Sequence, residues 1–427
     1  MDAPAGLCFR SRIMRLDPSP LPSADSTMHP PRLEVDAVPG FISARLSRAK
    51  ALLTSVSLAG ARGRVLGGDV VAPTALPPFD HSAMDGYALR HADLTDRDAL
   101  IPVVASADAD SACSAVRVFT GSAIPDGTES VVMQEHVERI GEAIRLKRAA
   151  SAGANIRRAG EDVLQGARVL SVGQVLDVRH LALLAALGIE RVTVARRLRV
   201  AVVALGTELV PPGGLRADAQ VFDANSTMAA AFFTRHGCDV VSEIRVADEP
   251  LAIARTLQDL EGTVDLIVTS GGMADGDRDY THASLMDLGG TWRTLGVNMK
   301  PGKPASIGTL GDTTVLGLPG NPFAALVGLI VIGGPILCAL DGRRPFLTRE
   351  QGNAGFDLDR RSGRAEFFPA RRELSSDRRT VIRRLGKGGS ARLQPLLEAD
   401  ALGYIAGAAG AIRHGDPIAY LPLDRLL

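Results

Sequence analysis

The stretch TSGGMADGDRDY, residues 269–280, comes directly after the run Val264–Val268. A short, mostly apolar and β-branched run of this kind predicts a buried parallel strand. The chain then changes to glycine and aspartate, and Gly271 and Gly272 allow a close approach of the backbone to a ligand with bare N–H groups. Carboxylates repel an anion unless a cation lies between them. The ligand at this strand end must therefore be one that free backbone N–H groups and carboxylates can bind together.

Strands and helices alternate on both sides of this stretch. The patterns predict strands at Arg199–Leu205, Asp239–Ile244, Val264–Val268 and Thr314–Leu316, and helices at Asn225–His236 (capped by Asn225 or Ser226 and followed by Gly237) and Pro250–Leu260. Alternation predicts a doubly wound α/β domain, in which ligands bind beyond the carboxyl ends of the strands. GTEL (206–209), SGGMADGDRDY (270–280) and GLPGNP (317–322) lie at such ends, so we expect them to converge on one site.

Two lysines are presented by a proline-rich segment of the same domain. In VNMKPGKPASIG, residues 297–308, Lys300 and Lys303 are flanked by prolines, which reduce the entropy lost when the segment is ordered. Two fixed ammonium groups suit phosphate or another oxyanion. The alternative is a solvated loop with incidental lysines.

Acids and lysines in one domain indicate a phosphate ligand bridged by a divalent cation. Mg²⁺ typically uses one or two carboxylates, water and substrate phosphate, and such a site stabilises charge on phosphoryl oxygens. We place Asp279 and Glu208 in this role. Asp275 and Asp277 serve equally well as turn formers.

The composition is that of a soluble, multidomain protein. A length of 427 residues predicts two to four domains, and 46% hydrophobic and 22% charged residues are ordinary for globular protein. Lys+Arg and Asp+Glu are both 48, so the basic bias of a nucleic-acid-binding protein is missing. Four scattered cysteines indicate neither a disulfide framework nor a metal site, and favour a reduced, cytoplasmic compartment.

Two segments resemble targeting or membrane signals. Residues 1–31 are rich in Pro, Ser and Arg without an apolar stretch, which predicts a disordered extension rather than a signal peptide. Phe323–Leu340 is uncharged and almost wholly apolar, with a length close to that of a membrane-spanning helix. Because Gly333-Gly334-Pro335 interrupts it in an otherwise soluble chain, we predict a helix buried against the sheet and no membrane.

The remaining parts of the chain are rich in predicted strands. The patterns predict a helix near Phe41–Thr54 and a helix at Val175–Leu187, which is closed by Gly188. Between them lies a β-rich region from Gly67 to Gly166, with strands at Ile101–Val104, Val116–Phe119, Ser130–Gln134 and Ala143–Leu146. After Arg343 the patterns predict a small β domain with strands at Glu366–Ala370, Arg379–Ile382 and Ile418–Leu421.

The β-rich region contains a second group of chemically active residues. The segment PPFDHSAMDGYAL, residues 77–89, places Asp80 and Asp85 in a short loop with a tight turn at Asp85. His81 has no partner at metal-ligand spacing, so we interpret it as an ordinary loop histidine. Thr120 follows a predicted strand. Arg157, in RRAGED, either clamps an anion or forms a surface pair with an aspartate.

Together these motifs resemble the MoeA family of molybdopterin molybdenumtransferases, which is related to the E domain of gephyrin. The matching pieces are FDHSAMDGYA, FTGSAIPDGTESVVMQE, NIRRAGEDV, LGTELV, DLIVTSGGMADGDRDYT, VNMKPGKP and GLPGNPFAAL, between Phe79 and Leu326, with a weaker match in GKGGSARL at 386–393. Each motif alone is moderately specific, but their common order and spacing are not expected by chance.

The resemblance implies an α/β multidomain architecture. Its parts are an elongated, discontinuous linking domain I at 32–66 and 168–197, a β-rich domain II at 67–167, a doubly wound, molybdopterin-binding α/β domain III at 198–345 and a small C-terminal β-barrel domain IV at 346–427, preceded by the extension 1–31. Members of the family are homodimers, with the active cleft between domain III of one chain and domain II of the other.

The resemblance also implies the reaction. Adenylylated molybdopterin binds with molybdate, and in a step that depends on Mg²⁺ or another divalent metal the pyrophosphate bond is cut, AMP leaves and molybdenum enters the dithiolene. Contacts with the adenylyltransferase that makes this substrate and with recipient molybdoenzymes are further expected partners.

Residue by residue, the resemblance assigns three kinds of role. The catalytic set is Asp85, Thr120, Asp162, Glu208, Asp279 and Lys300, the ligand-binding set is Arg157, Gly271, Gly272, Lys300, Lys303, Pro319, Pro322 and Ser390, and the metal-binding set is Glu208, Asp248 and Asp279.

Three positions depart from the family pattern. Gly296 stands where a lysine is usual, His81 where asparagine is usual, and Ala274 where serine is common. Arg293 is the nearby candidate to replace the missing lysine. The loss of that lysine leaves a non-catalytic scaffold or cofactor-delivery protein as an alternative to the enzyme. An adenylyltransferase is a third interpretation, which the DHSAMDGYA region and the C-terminal domain argue against.

Overall fold

A computed structural model describes residues 32–46, 52–94, 98–105, 113–272, 280–386 and 388–427 of the chain. The predicted disorder of residues 1–31 lies outside the described residues. The same holds for Ala274 and for the predicted roles of Asp275, Asp277 and Asp279.

The first part of the described chain is built from short strands. Its elements are α1 (Val38–Arg45), β1 (Leu53–Ser57), α2 (Leu58–Ala61), β2 (Val70–Val71), β3 (His81–Ser82), β4 (Gly86–Leu89), β5 (Ile101–Val104), β6 (Ala115–Val118), β7 (Ser130–Met133), β8 (Val137–Ile140), β9 (Ala143–Leu146), β10 (Ile156–Arg157), β11 (Arg168–Leu170), α3 (Val178–Ala186) and β12 (Arg191–Ala195), with 3-10 turns at Val35–Ala37, His91–Leu94 and Gln134–His136. Strands β7-β4-β6-β5-β9-β8 form one sheet. The four predicted strands of this region are confirmed to within one residue at each end.

The predicted helix at Phe41–Thr54 is wrong in its second half. Helix α1 ends at Arg45, and Leu53 already begins β1, which pairs antiparallel with β12. Thr54 and Val56 are β-branched, and their partner strand is more than 130 residues away, so the competing structure has no local signal. Helix α3 begins later than predicted because Asp177 caps it, accepting a hydrogen bond from the Arg179 backbone N–H at 2.9 Å.

The predicted α/β domain is confirmed. Its elements are β13 (Arg199–Leu205), β14 (Leu209–Val210), β15 (Val221–Phe222), α4 (Ala224–Arg235), β16 (Asp239–Val246), α5 (Pro250–Leu260), β17 (Leu266–Ser270), α6 (Tyr280–Asp287), β18 (Thr291–Thr294), β19 (Met299–Lys300), β20 (Ser306–Leu310), β21 (Thr313–Leu318), α7 (Pro322–Gly328), a π-helical turn at Leu329–Gly333 and α8 (Gly334–Asp341). The main sheet has the order β16-β13-β17-β21-β20-β18. Its first four strands are parallel, β20 pairs antiparallel with β21, and β18 pairs antiparallel with β20. The carboxyl ends of the parallel strands therefore share one edge.

The apolar segment forms a helix of the protein core. Residues Pro322–Asp341 are long and apolar enough to span a bilayer, but 83% of their most apolar window is buried inside the protein. The prediction of a buried helix is confirmed. The predicted interruption at Gly333-Gly334-Pro335 is wrong, because the helix continues through the π-helical turn. Gly334 packs closely against the Phe346 ring, because a Cβ there would lie 3.1 Å from it.

The C-terminal part forms the predicted barrel. Its elements are β22 (Glu350–Ala354), β23 (Ala365–Leu374), β24 (Thr380–Arg384), α9 (Gln394–Leu397), β25 (Ala401–Ile405), β26 (Pro417–Pro422) and a 3-10 turn at Leu423–Arg425. The order β23-β24-β22-β26-β25 closes because β25 also pairs with β23. Strand β19 of the α/β domain adds to β23 in parallel, with Lys300 opposite Glu366. This pairing places the lysine segment directly beside the barrel.

One hydrophobic cluster joins the α/β domain to the barrel. It contains buried side chains of the α/β domain, such as Phe233 and Ile330, together with Phe367, Leu402 and Leu426 of the barrel. The two parts are therefore packed against each other, which forms a cleft at their border. The domain limits given above remain predictions from the sequence.

Candidate ligand-binding cleft

The three strand-end motifs meet at one cavity of about 330 Å³, which we call the strand-end cavity. Glu208 follows β13, Ser270 and Gly271 end β17, and Gly320 and Pro322 follow β21. The cavity is lined by Leu205, Glu208, Leu209, Val221, Phe222, Asp223, Ala224, Asn225, Ser270, Gly271, Gly320, Pro322 and Leu393. The predicted convergence of the motifs is confirmed.

The glycines after β17 serve packing as well as access. Gly271 has φ +85°, and a Cβ there would lie 2.3 Å from the carbonyl oxygen of Leu205. Its N–H donates to Leu318 O at 3.2 Å. The prediction of a bare amide at Gly271 is therefore wrong, because this N–H closes the strand end onto β21. Gly272 has φ +65°, and a Cβ there would lie 2.8 Å from the Leu205 side chain.

Asn225 connects two of these motifs, which the sequence analysis did not anticipate. Its Nδ2 donates to Ser270 Oγ and to Gly320 O, both at 2.8 Å. The sequence suggested Asn225 or Ser226 as the cap of α4, but Asp223 caps it, since its Oδ1 accepts from the Ser226 N–H at 3.0 Å. The amide of Asn225 is thus used for the tertiary contact instead of the helix end.

Two acids lie on adjoining loops beside this cavity. Glu208 folds over Gly206, where a Cβ would lie 2.7 Å from Glu208 Oε2. The backbone N–H of Asp248 donates to Thr207 Oγ1 at 3.2 Å, so the loops after β13 and β16 are in contact. Among the described residues, no group of three His, Cys, Asp or Glu side chains is placed to hold a metal ion. Mg²⁺ requires only one or two carboxylates besides substrate oxygens, so Glu208 and Asp248 fit it by donor type.

A second cavity, of about 460 Å³, lies between the α/β domain and the barrel, and we call it the lysine cavity. Four residues of the predicted site line it: Lys300, Lys303, Pro319 and Ser390. Ser390 O accepts a hydrogen bond from the Phe323 N–H at 2.9 Å, which joins the barrel loop to the start of α7.

The loop after β21 separates the two cavities. Pro319, Asn321 and Phe323 line the lysine cavity, while Gly320 and Pro322 line the strand-end cavity. The chain bends at Gly320 and Asn321 and begins α7 at Pro322, so neighbouring residues of this turn line opposite sides. The expectation that acids and lysines share one hollow is corrected: Glu208 and the lysines lie in two neighbouring cavities on either side of this loop.

The lysine cavity is strongly cationic. Lys300, Lys303, Arg364 and Arg384 line it, and among the described lining residues Glu366 is the one carboxylate. The two arginines belong to the barrel, and no motif in the sequence pointed to Arg384. A cavity with this balance suits an oxyanion. Of the two interpretations of the lysine segment, the structure favours anion binding over a solvated loop.

A third group of residues forms a patch on the β-rich domain. Strands β3 and β10 pair so that Arg157 is opposite His81. The carboxylate of Asp85 accepts from Thr120 N at 2.8 Å and from Thr120 Oγ1 at 2.9 Å. These hydrogen bonds, first the backbone and then the hydroxyl, lower the pKa of Asp85. The structure thus brings together two residues that stand 35 positions apart in the sequence.

The basic residues of this patch are paired within it. Arg157 forms an ion pair with Glu161, so the surface-pair interpretation holds for this residue, with glutamate in place of the expected aspartate. Arg158 pairs with Asp80, whose pKa is lowered first by the Ala159 N–H and then by Arg158.

The last two predicted residues of this region differ in exposure, since Asp162 is exposed and His81 is half-buried. Asp162 is an exposed residue of the loop after β10. His81 has its Nδ1 3.4 Å from the Phe79 carbonyl oxygen, as expected for an ordinary loop histidine.

The patch does not reach either cavity in this chain. The described linings of the strand-end and lysine cavities contain neither Asp85 nor Thr120, Arg157 or Asp162. Phe79 and Phe119, at its edge, are 49% and 58% exposed. Exposed aromatic rings around paired polar groups are typical of a surface that meets another surface.

Known proteins match the whole of this arrangement. Three family models match in order: the MoeA N-terminal region (domain I and II) at residues 39–188, the probable molybdopterin binding domain at 201–339, and the MoeA C-terminal region (domain IV) at 351–423. The molybdopterin molybdenumtransferase of Haemophilus influenzae is 30% identical over 384 residues, which cover 87% of this chain and 94% of that protein. The chain belongs to the MoeA family of molybdopterin molybdenumtransferases.

Other relatives agree with this assignment. Molybdopterin molybdenumtransferase 2 of Mycobacterium tuberculosis is 32% identical over 378 residues, 84% of this chain and 92% of that protein. The crystal structure of the molybdopterin biosynthesis MoeA protein from Pyrococcus horikoshii OT3 has a TM-score of 0.76 over 92% of this chain and 100% of that chain, at 24% identity, and supports the fold. As a member of the MoeA family, the chain is a transferase of molybdenum cofactor biosynthesis.

The departure at Gly296 from the MoeA pattern has a structural counterpart. Gly296 has φ +57°, a left-handed conformation, and no atom lies within 4 Å of a Cβ built there. Arg293 does not replace the missing lysine, because its guanidinium lies 5.2 Å from the ring centre of Phe41 on α1. It is also outside the described lining of the lysine cavity.

Proposed function

We propose that this chain inserts molybdenum into adenylylated molybdopterin, with release of AMP, in a divalent-metal-dependent step. The observation that carries the proposal is the pair of cavities on either side of one loop. One is cationic, and the other contains a carboxylate at the ends of parallel strands. A substrate with a pyrophosphate, together with an oxyanion, needs both environments side by side.

The lysine cavity is the proposed site for molybdate. Lys300 and Lys303 supply point charges, and Arg364 adds a planar fork that matches two oxygens of an oxyanion. Ser390 lies in the same lining and offers a hydroxyl. These residues bind and orient the oxyanion beside the loop at Pro319.

The strand-end cavity is the proposed site for the charged part of the pterin substrate. Glu208 and Asp248 would hold a divalent cation, which when bound neutralises charge on the pyrophosphate oxygens. The apolar wall formed by residues such as Val221 and Phe222 suits the ring of a pterin or an adenine. Gly272 and Pro322 are assigned the role of setting the backbone geometry of this site. The role of Asp279 remains a prediction from the sequence.

We further propose that the active form is a homodimer in which the patch of Asp85 and Thr120 completes the cleft of a second copy. Support comes from the separation of this patch from both cavities within one chain, and from its exposed aromatic rings. Mixing an Asp85→Ala chain with a Lys300→Ala chain tests this. Two inactive variants should regain activity on mixing, because the heterodimer keeps one intact cleft. Activity that stays absent after verified subunit exchange contradicts the shared cleft.

The test of the reaction is direct. Purified protein is incubated with adenylylated molybdopterin, molybdate and Mg²⁺, and AMP is measured by chromatography. We expect AMP only when all three are present. Omission of molybdate and addition of a chelator are the controls.

Gly296 favours one alternative, a scaffold that binds the pterin without turnover. One charged contact contributes about 1.5–3 kcal/mol, so its loss can reduce transition-state binding. Tight pterin binding with no AMP would support the scaffold.

A further inference from the structure

Arg384 lines the lysine cavity, although it belongs to none of the motifs that define the family. It is the last residue of β24 and pairs with Ala370 of β23. Its Nη2 donates to Glu366 Oε1 at 2.6 Å, and its guanidinium lies over the Phe368 ring at 4.7 Å from the centre. The side chains of Arg384 and Glu366 are only 19% and 12% exposed.

The hydrogen bonding of this guanidinium is incomplete. Nη1 of Arg384 is buried, and no described residue accepts a hydrogen bond from it. A buried donor without an acceptor is costly, and arginine has five N–H groups in a fixed fork. Glu366 neutralises the charge but satisfies only part of the fork. An oxyanion beside the guanidinium would supply the missing acceptor.

We propose that Arg384 is a further oxyanion-binding residue of this chain, and that it offsets the lysine replaced by Gly296. The inference rests on the proposed function, because it assigns the lysine cavity to the oxyanion. Arg293 is occupied at Phe41 and leaves the charge deficit in place. Arg384 supplies the compensating charge from the barrel side, opposite Lys300 and Lys303.

The Phe368 ring and Glu366 hold the guanidinium in one orientation. A planar fork held in this way binds two oxygens of a tetrahedral anion, whereas an ammonium group binds as a point charge. Arg384 therefore fixes the orientation of the bound anion, whereas the lysines mainly contribute positive charge. The Glu366 carboxylate lines the same cavity and repels an anion bound there, so it should limit affinity.

The test measures molybdate binding by calorimetry without the pterin substrate. We expect Arg384→Gln to weaken binding roughly 10- to 100-fold, the range for loss of one charged contact. Arg384→Lys should recover part of this loss, since it keeps the charge. The matched control is Arg383→Gln on the same strand. Arg383 is 46% exposed and pairs with Glu373 at 2.9 Å, so its loss should leave binding unchanged.

The variant Glu366→Gln distinguishes anion binding by Arg384 from a purely structural role of the ion pair between Arg384 and Glu366. If Arg384 binds the anion, removal of the repelling carboxylate strengthens molybdate binding, in the opposite direction to Arg384→Gln. If the ion pair only supports the barrel, both variants weaken binding and lower the melting temperature together. That shared direction, or wild-type affinity in both Arg384→Gln and Arg384→Lys, overturns the inference.

The results that would overturn the proposed function differ from those that would overturn only the role of Arg384. A wild-type protein that binds no molybdate and releases no AMP overturns the proposed function and this inference with it. AMP release by the wild type with unaltered molybdate affinity in Arg384→Gln overturns the inference alone.

Discussion

The replacement Asn225→Asp tests whether the loops around the strand-end cavity act as one unit. Asn225 Nδ2 donates to Ser270 Oγ and Gly320 O, both at 2.8 Å. Because Gly320 O can only accept, the group facing it must be the amide NH₂. Aspartate has nearly the same size but presents an acceptor to both partners. The variant therefore loses the hydrogen bond to Gly320 O and places a carboxylate against that carbonyl oxygen without leaving a cavity, whereas the Ser270 hydroxyl rotates and donates to the new carboxylate.

The expected loss follows from these contacts. The lost hydrogen bond to Gly320 contributes about 1 kcal/mol net, and a buried charged group that faces an acceptor costs about 1–3 kcal/mol more. Asn225 is 9% exposed, so water replaces little of the loss. We expect about 2–4 kcal/mol less stability at pH 7, against about 2 kcal/mol for Asn225→Ala, which loses both hydrogen bonds but lacks the charge.

The pH dependence of this variant has a definite sign. Burial and the facing carbonyl raise the pKa of the new carboxyl above its unfolded value of about 3.9. Protonation restores an O–H donor toward Gly320. The destabilisation is therefore complete at pH 7 and becomes smaller as the pH falls through the raised pKa. Asn225→Ala has no such group, and its loss relative to wild type should be the same at each pH.

Urea unfolding of the full chain at pH 7 and pH 5 measures these losses, and the KM for adenylylated molybdopterin reports on the cavity. Asn353→Asp is the control, because Asn353 donates one exposed hydrogen bond to Gly415 O at 2.8 Å in the barrel. We expect a raised KM only for the Asn225 variants. Equal stability losses at Asn225 and Asn353, with an unaltered KM, would refute the view that this amide holds the loops together.

Three further predictions follow from single contacts. Asp85→Ala should reduce AMP release about 10-fold or more, the lower end of the range for the loss of one charged contact. The melting temperature should change little, because the contacts of Asp85 with Thr120 are exposed. Normal turnover would remove Asp85 from the site. Burial lowers the pKa of His236 to about 4. The contribution of neutral His236 to the stability of the fold, about 3 kcal/mol, is therefore complete above the unfolded pKa near 6.5 and is lost as the pH falls toward 4. Urea midpoints of wild type and His236→Gln should converge over that range, and parallel curves would contradict the assignment. Gly271→Ala should destabilise the folded protein by about 2 kcal/mol or more. The reason is that Gly271 has φ +85° and that a Cβ there would lie 2.3 Å from Leu205 O. An unchanged melting temperature would disprove the need for glycine at this position.

The two cavities give the molybdenum transferase family motif GLPGNP a physical explanation. Its residues face the strand-end cavity and the lysine cavity in alternation. A ligand in one cavity is therefore separated from a ligand in the other by a single segment of backbone, the bend at Gly320 and Asn321 and the start of α7. Prolines at 319 and 322 restrict φ in this segment, so the separation is kept constant.

The sequence by itself determined the elements that depend on local patterns. The strand Arg199–Leu205 and the helix Pro250–Leu260 were predicted with their observed bounds, because apolar periodicity and capping signals act within one element. Strand ends of a parallel sheet share an edge, so the convergence of the three motifs also followed from the order of elements alone. The identity of the family followed from the motifs in the same way.

Tertiary structure alone decided how the charged groups are distributed. Lys300 lies opposite Glu366 because β19 adds to a barrel strand 66 residues further on, and no local pattern encodes such a pairing. Asp223 caps α4 because the amide of Asn225 is needed at Gly320. Arg384 joins the lysines only when the barrel packs on the α/β domain. Contacts between distant segments depend on the packing of complete elements, and that information is absent from any single stretch of the chain.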